Sequence, residues 1–131
     1  MSRKQILALI LGAVIILAAI VLLLCRKPDI FNYSAESIKS IYITNGLNGE
    51  VVEIPREEVK KIAESLKQVE VGRGEKADST GWAYNIKLSD EKEEYSITLV
   101  SDLYLVVDNK RYEIKDQTGK EIYEMCKAYF S

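Results

Sequence analysis

The chain has 131 residues, with 18 basic and 20 acidic side chains, a formal net charge of −2, two cysteines and no histidine. Without histidine there is no imidazole to act as a base near neutral pH, to partner a Ser or Cys nucleophile, or to bind zinc. All the acidic residues follow Lys27 and four of the basic ones precede Pro28, so the remainder carries 14 basic against 20 acidic residues, a net of −6. Such a surface lacks the basic footprint that nucleic acid demands, and it would repel anionic lipid headgroups.

Between the basic pairs Arg3-Lys4 and Arg26-Lys27 runs QILALILGAVIILAAIVLLLC, residues 5–25, without a single charge. As a helix rising about 1.5 Å per residue it would span roughly 30 Å, the thickness of a bilayer's hydrocarbon core. Residues 1–27 therefore read as a membrane anchor with basic flanks, and the lipid bilayer is the partner expected for residues 5–25. The run exceeds the apolar stretch of about 7–15 residues in a signal peptide, and no A-x-A pattern precedes Arg26. Cys25, ending a leucine-rich stretch, resembles the lipidated cysteine of the bacterial lipoprotein lipobox, although Leu24 stands where that pattern wants a small residue. Cys25 is thus a candidate lipidation site beside the reading of an uncleaved helix with an interfacial cysteine. The flanking charges nearly balance; the very short N-terminal tail is expected to stay cytoplasmic and to send the C-terminal domain outside, an extracytoplasmic localisation on the cell membrane.

Residues 28–37 show no period and read as a juxtamembrane linker, with Ile30, Phe31 and Tyr33 expected to dock on the domain that follows at 38–131. About 100 residues suffice for one core and are too few for two. Ile41 and Ile43 alternate with Ser40, Tyr42 and Thr44, and the turn-rich NGLNG leads into VVEI, a hairpin pattern. Pro55 stops the second strand and opens a helix, with Glu57 and Glu58 at its positive end. Val59, Ile62, Ala63, Leu66 and Val69 form one apolar stripe, and Lys60, Lys61, Glu64 and Lys67 take the wet side.

A polar stretch at 72–81 holds three of the seven glycines. Its Gly72-Arg73-Gly74 lacks any phosphate-loop spacing, so phosphate binding is a weak reading and glycines at positive φ are the expectation. Alternation then returns: Trp82, Tyr84, Ile86 and Leu88 share a face expected to be core, followed by Tyr95, Ile97 and Leu99, then Leu103, Leu105 and Val107, then Tyr112 and Ile114. Short connections make this an antiparallel meander with one packed face. At the end, Thr118 and Glu121 have capping-box spacing before an apolar stripe of Ile122, Met125, Cys126 and Tyr129. The fold class is α+β: a transmembrane helix, then an antiparallel sheet with two amphipathic helices on one face.

The I-x-I-T-N-G strand (Ile41 to Gly46), the amphipathic helix and the G-W-x-Y strand (Gly81 to Tyr84) together resemble small membrane-tethered proteins of unknown function from low-GC Gram-positive bacteria. The likeness covers about residues 38–130. It implies a bacterial origin and an outward-facing domain, and it supplies no activity.

Chemistry has few candidates. Cys126 lies on an apolar stripe, where cysteine acts as a small buried hydrophobe, and no disulfide with Cys25 is expected. Asp90, Glu91, Glu93 and Glu94 cluster in one turn that could attract calcium, but their spacing is not that of a calcium loop and a solvated hairpin tip accounts for them. No catalytic residue, metal ligand or cofactor is assigned. Tyr42 and Tyr104 fall on the opposite phase from their strands' apolar neighbours and are the candidate protein-binding residues; cross-strand packing on a wet face is the competing account. The function expected is a single-pass, non-enzymatic membrane protein whose outer domain binds or modulates another protein. A carboxylate-dependent cell-envelope hydrolase and a lipoprotein-like ligand-binding module are the alternatives.

Overall fold

The computed structural model describes residues 2–24, 30–77 and 81–130. Helix α1 (Arg3–Leu24) is followed by β1 (Ser40–Asn45), β2 (Val51–Glu53), α2 (Arg56–Lys67), β3 (Glu75–Lys76), β4 (Tyr84–Ser89), β5 (Glu94–Leu99), β6 (Tyr104–Val107), β7 (Lys110–Glu113) and α3 (Thr118–Ala128). The strands form one antiparallel sheet in the order β2-β1-β4-β5-β6-β7-β3, and with the two later helices the class is α+β, as the alternation predicts.

The 22 residues of α1 make a rod of about 33 Å. Its start is held by a reciprocal pair of bonds: Gln5 N–H donates to Ser2 Oγ at 3.3 Å, and Ser2 N–H donates to Gln5 Oε1 at 3.2 Å. This satisfies two donors that a helix terminus otherwise leaves orphaned. Through Val21 the residues of α1 are exposed apart from half-buried Gly12, so this apolar surface finds no cover among the described residues.

In the sheet, residues directly opposite one another share a face. Ile41↔Leu88, Ile43↔Ile86, Ile86↔Ile97 and Leu99↔Leu105 put the large aliphatics on one side. Tyr42↔Lys87, Lys87↔Ser96 and Thr98↔Val106 occupy the other. The aliphatic face is covered by Val59, Ile62, Ala63 and Leu66 of α2 and by Ile122 and Cys126 of α3, all in one core cluster. Tyr129 O–H donates to Glu58 Oε2 at 2.8 Å, tying α3 to α2. Among the described residues no buried side-chain nitrogen or oxygen lacks a hydrogen bond.

Packing reaches further upstream than residue 38. Phe31 and Tyr33 are buried in the core, and the Tyr33 hydroxyl donates to the Ala63 carbonyl at 2.8 Å. The Lys67 ammonium donates to the Tyr33 carbonyl and lies 5.1 Å over the same residue's ring, so this side chain on the wet side of α2 fastens the incoming segment.

Several expectations need correction. Trp82 is 40% exposed instead of core, because β4 begins only at Tyr84 and the bond from Ala83 N–H to Leu99 C=O breaks the alternation just before it. Leu103 is exposed for the same kind of reason: it lies in the bend before β6. No capping box forms at α3. The helix starts at Thr118 itself, so this residue does not stand before the helix as a capping box requires, and Asp116 Oδ1 accepts from both its backbone N–H (3.1 Å) and its hydroxyl. Gly72 and Gly74 do not have positive φ. A Cβ on Gly74 would come within 2.6 Å of the Tyr112 ring, so close approach is what that position requires. The polar stretch also contributes an unforeseen strand, β3, whose Glu75 and Lys76 pair with Arg111 and Lys110 at the sheet edge.

Candidate functional site

Tyr42 and Tyr104 stand on the polar face of the sheet, as their phase predicts. Tyr42 is 38% exposed between Glu53 of β2 and Lys87 of β4. Tyr104 is half-buried opposite Glu113, and the Arg111 guanidinium lies 5.1 Å over its ring. A cation held against an aromatic face is already a favourable pairing. With β4 and β5 between β1 and β6, the two tyrosines are three strand spacings apart, roughly 14 Å. The fold does not bring them into one patch.

Exposed apolar side chains gather elsewhere. Leu47, at the tip of the β1–β2 loop, is 95% exposed, and Leu103, in the β5–β6 loop, is 57% exposed. Trp82 lies between them in the strand order and packs its ring against Gly46, where an added Cβ would come within 2.8 Å of it. These three positions follow one end of the sheet. The segment Ile30–Tyr33 reaches the sheet elsewhere, beside Glu94–Thr98 and the β6–β7 turn, toward the other end. The apolar rim was not legible from alternation, because its members sit in loops where the period has no meaning.

The acidic turn is engaged in its own fold. Asp90 Oδ1 accepts from the Lys92 and Glu93 N–H groups at 2.7 and 2.6 Å, and these bonds hold the Asp90 carboxyl below the usual carboxylate range. The Tyr95 hydroxyl donates to Glu93 Oε2 at 3.0 Å, and that bond, with desolvation, pushes the phenol up to about 12. Among the described residues no three His, Cys, Asp or Glu side chains are grouped so as to hold a metal ion.

Cys126 is buried, with no exposed surface, and burial pushes its thiol up to about 12. A thiol so far from ionising is a poor nucleophile. Around Gly72, a cavity lined by the three bases Arg73, Arg111 and Lys115 also holds two acids: Glu75 pairs with Arg111 at 3.8 Å and Glu113 with Lys115 at 3.6 Å. Cys25 lies outside the described residues.

These features define a class: a small α+β domain behind an apolar N-terminal helix. No protein-family model and no curated protein sequence matches the chain. The fold is similar to that of a crystal structure from Clostridium perfringens, a low-GC Gram-positive bacterium, of a protein provisionally classed as a lipoprotein. The match has a TM-score of 0.54 and 20% sequence identity, and it covers 80% of this chain and 98% of that one. At that identity it is a likeness of fold.

Proposed function

We propose that the chain is a single-pass membrane protein whose α+β domain lies on the outer side of the membrane and works by binding another protein. The observation that carries the binding part is the exposed rim of Leu47, Trp82 and Leu103 at the end of the sheet away from where the chain joins it. A domain suspended at one end presents its opposite end to partners. Apolar and aromatic side chains there are the usual anchors of a protein interface. The exposed surface of α1 supports the membrane part, and the similarity to a protein provisionally classed as a lipoprotein agrees with a tethered domain.

The non-enzymatic reading rests on the chemistry present. Cys126 is buried and un-ionised, and the acidic turn is engaged in its own hydrogen bonds. Glu94 and Asp108 share a cavity, but both are exposed and Glu94 pairs with Lys87 at 3.9 Å. Neither has the buried apolar setting that keeps a carboxylic acid protonated for general acid work.

The test uses intact cells stripped of wall. A membrane-impermeant amine-reactive label should modify the domain's exposed lysines while cytoplasmic controls stay unmodified, and a photo-crosslinker at Leu103 should capture a discrete partner that Leu47→Asp, a fully exposed change, abolishes without altering the melting temperature. Protection from the label in intact cells would reverse the topology. Capture that is indifferent to Leu47 and Trp82 would remove the rim.

A further inference from the structure

Strand β5 pairs with β4 from Glu94↔Ser89 to Leu99↔Tyr84, but with β6 only at Thr98↔Val106 and Leu99↔Leu105. β6 ends there because Asp108 and Asn109, at φ 51° and 64°, turn the chain back into β7 as a two-residue hairpin loop. The first half of β5 therefore has a strand on one side alone. In an antiparallel ladder, successive residues aim their backbone groups at opposite neighbours. The bonds from Asp90 N–H to Glu93 C=O and from Val100 N–H to Tyr104 C=O, both 3.0 Å, set the phase. Tyr95, Ile97 and Leu99 address β4, whereas Glu94, Ser96 and Thr98 address the β6 side. Thr98 meets Val106. The N–H and C=O groups of Glu94 and Ser96 meet no backbone partner among the described residues.

This gap is a cavity of about 350 Å³, walled by Phe31, Tyr33, Tyr95 and Ile97 on the core side and by Val107 and Asp108 at its end. We propose that it is a strand-addition site taking an extended peptide of a protein partner, with an apolar residue opposite Tyr95 and a Lys or Arg opposite Glu94. It rests on the protein-binding reading above and names a site for it. Two donors and two acceptors at strand spacing are what an added strand satisfies. Side chains of that strand would alternate as those of β5 do. The one opposite Tyr95 would turn toward the aromatic wall, and those opposite Ser96 and Glu94 toward the polar face. Glu94 is loosely held by Lys87 at 3.9 Å, and Asp108 is exposed at the same cavity. Both favour a cation, as the net charge of the domain does. Read from its N-terminus in the antiparallel sense, the motif is polar, apolar, basic.

The test uses the isotope-labelled full chain in detergent micelles and the capped peptide Gly-Ser-Thr-Ile-Lys-Gly. Without peptide, the Glu94 and Ser96 amides should exchange with solvent at least about tenfold faster than those of Tyr95 and Ile97, which are bonded to β4. Peptide should slow Glu94 and Ser96 by about tenfold or more, and N-methylation of its Thr and Lys should abolish the effect. Glu94→Lys should weaken binding by about two- to fivefold, and a peptide with Glu in place of Lys should recover it. No slowing, slowing that survives N-methylation, or protection that rises with protein concentration alone would each overturn the proposal. The last result would mean that a second copy fills the gap. Failure here with partner capture at the rim intact overturns this site and leaves the function standing; loss of capture at the rim with peptide binding intact does the reverse.

Discussion

Gly119 shows at the scale of one residue how closely the layers meet. It is buried in the first turn of α3, and a Cβ there would lie 2.3 Å from the Asp102 carbonyl oxygen and 2.8 Å from Ile114. Backbone cannot rotate away, so Gly119→Ala should push the helix off the β5–β6 loop and cost roughly 1–3 kcal/mol in urea unfolding. An unchanged midpoint would mean that α3 sits farther out. Tyr33 allows a gentler test. Its hydroxyl donates to Ala63, whose carbonyl also lies within the α2 ladder, so Tyr33→Phe should cost about 1 kcal/mol and keep the fold. Residue fates were legible where a strand imposed its period: the outward phase of Tyr42 and Tyr104 could be read directly. Trp82 and Leu103 could not, because their fate depends on where the strand starts. The close approach of Gly74 to the Tyr112 ring likewise depends on a contact across strands.

Elements were more legible than their ends. The α2 stripe is buried as its period predicts, through Val59, Ile62, Ala63 and Leu66. Leu66→Asp places a charge in the core and should unfold the domain, whereas Lys60→Asp, on the exposed face, should shift the melting temperature little. Equal effects would mean the helix phase is wrong. Lys67 is not a neutral control, since it holds the Tyr33 carbonyl. The α3 cap gives a sharper contrast. Asp116 accepts from Thr118, and Glu121 has no part in the cap, so Asp116→Ala should cost about 1 kcal/mol and Glu121→Ala close to nothing. A true capping box would make the two costs similar. The same four-residue spacing, from Ser2 to Gln5, does cap α1, because Ser2 stands just before the helix, where its hydroxyl oxygen accepts from the Gln5 N–H, whereas Thr118 is already inside α3. Spacing nominates a cap, and where the helix starts decides it. The gap beside β5 was hidden in the same way. Alternation revealed both β5 and β6, but the gap exists because β6 is two residues shorter, and a turn at Asp108 sets that length.

The whole molecule combines two stabilities that respond differently to alkali. In the domain, burial first and the bond to Glu58 second push Tyr129 from 10.0 to about 12, and burial pushes Cys126 from 9.0 to about 12. Tyr33 is also raised by burial. A group kept protonated by folding contributes stability that is complete below its unfolded value and lost as the pH rises through its folded one. With no histidine to titrate, the melting temperature should stay level across the neutral range, begin to fall above pH 9.0 and collapse toward about 12. The apolar run of α1 carries no such group, so its hold on a bilayer is indifferent to the same change. Membranes washed in alkaline carbonate should therefore retain the full-length chain in the pellet while its domain becomes digestible by added protease, and neutralisation should restore resistance. Release of intact chain by the wash would rule out a spanning α1. Retention of a shorter, lipid-bearing chain beginning at Cys25 would replace the helix with a lipid anchor. A domain that stays protease-resistant throughout would mean that its buried tyrosines and thiol do not resist ionisation, and that the packing around Tyr33 is looser than its bond to Ala63 implies.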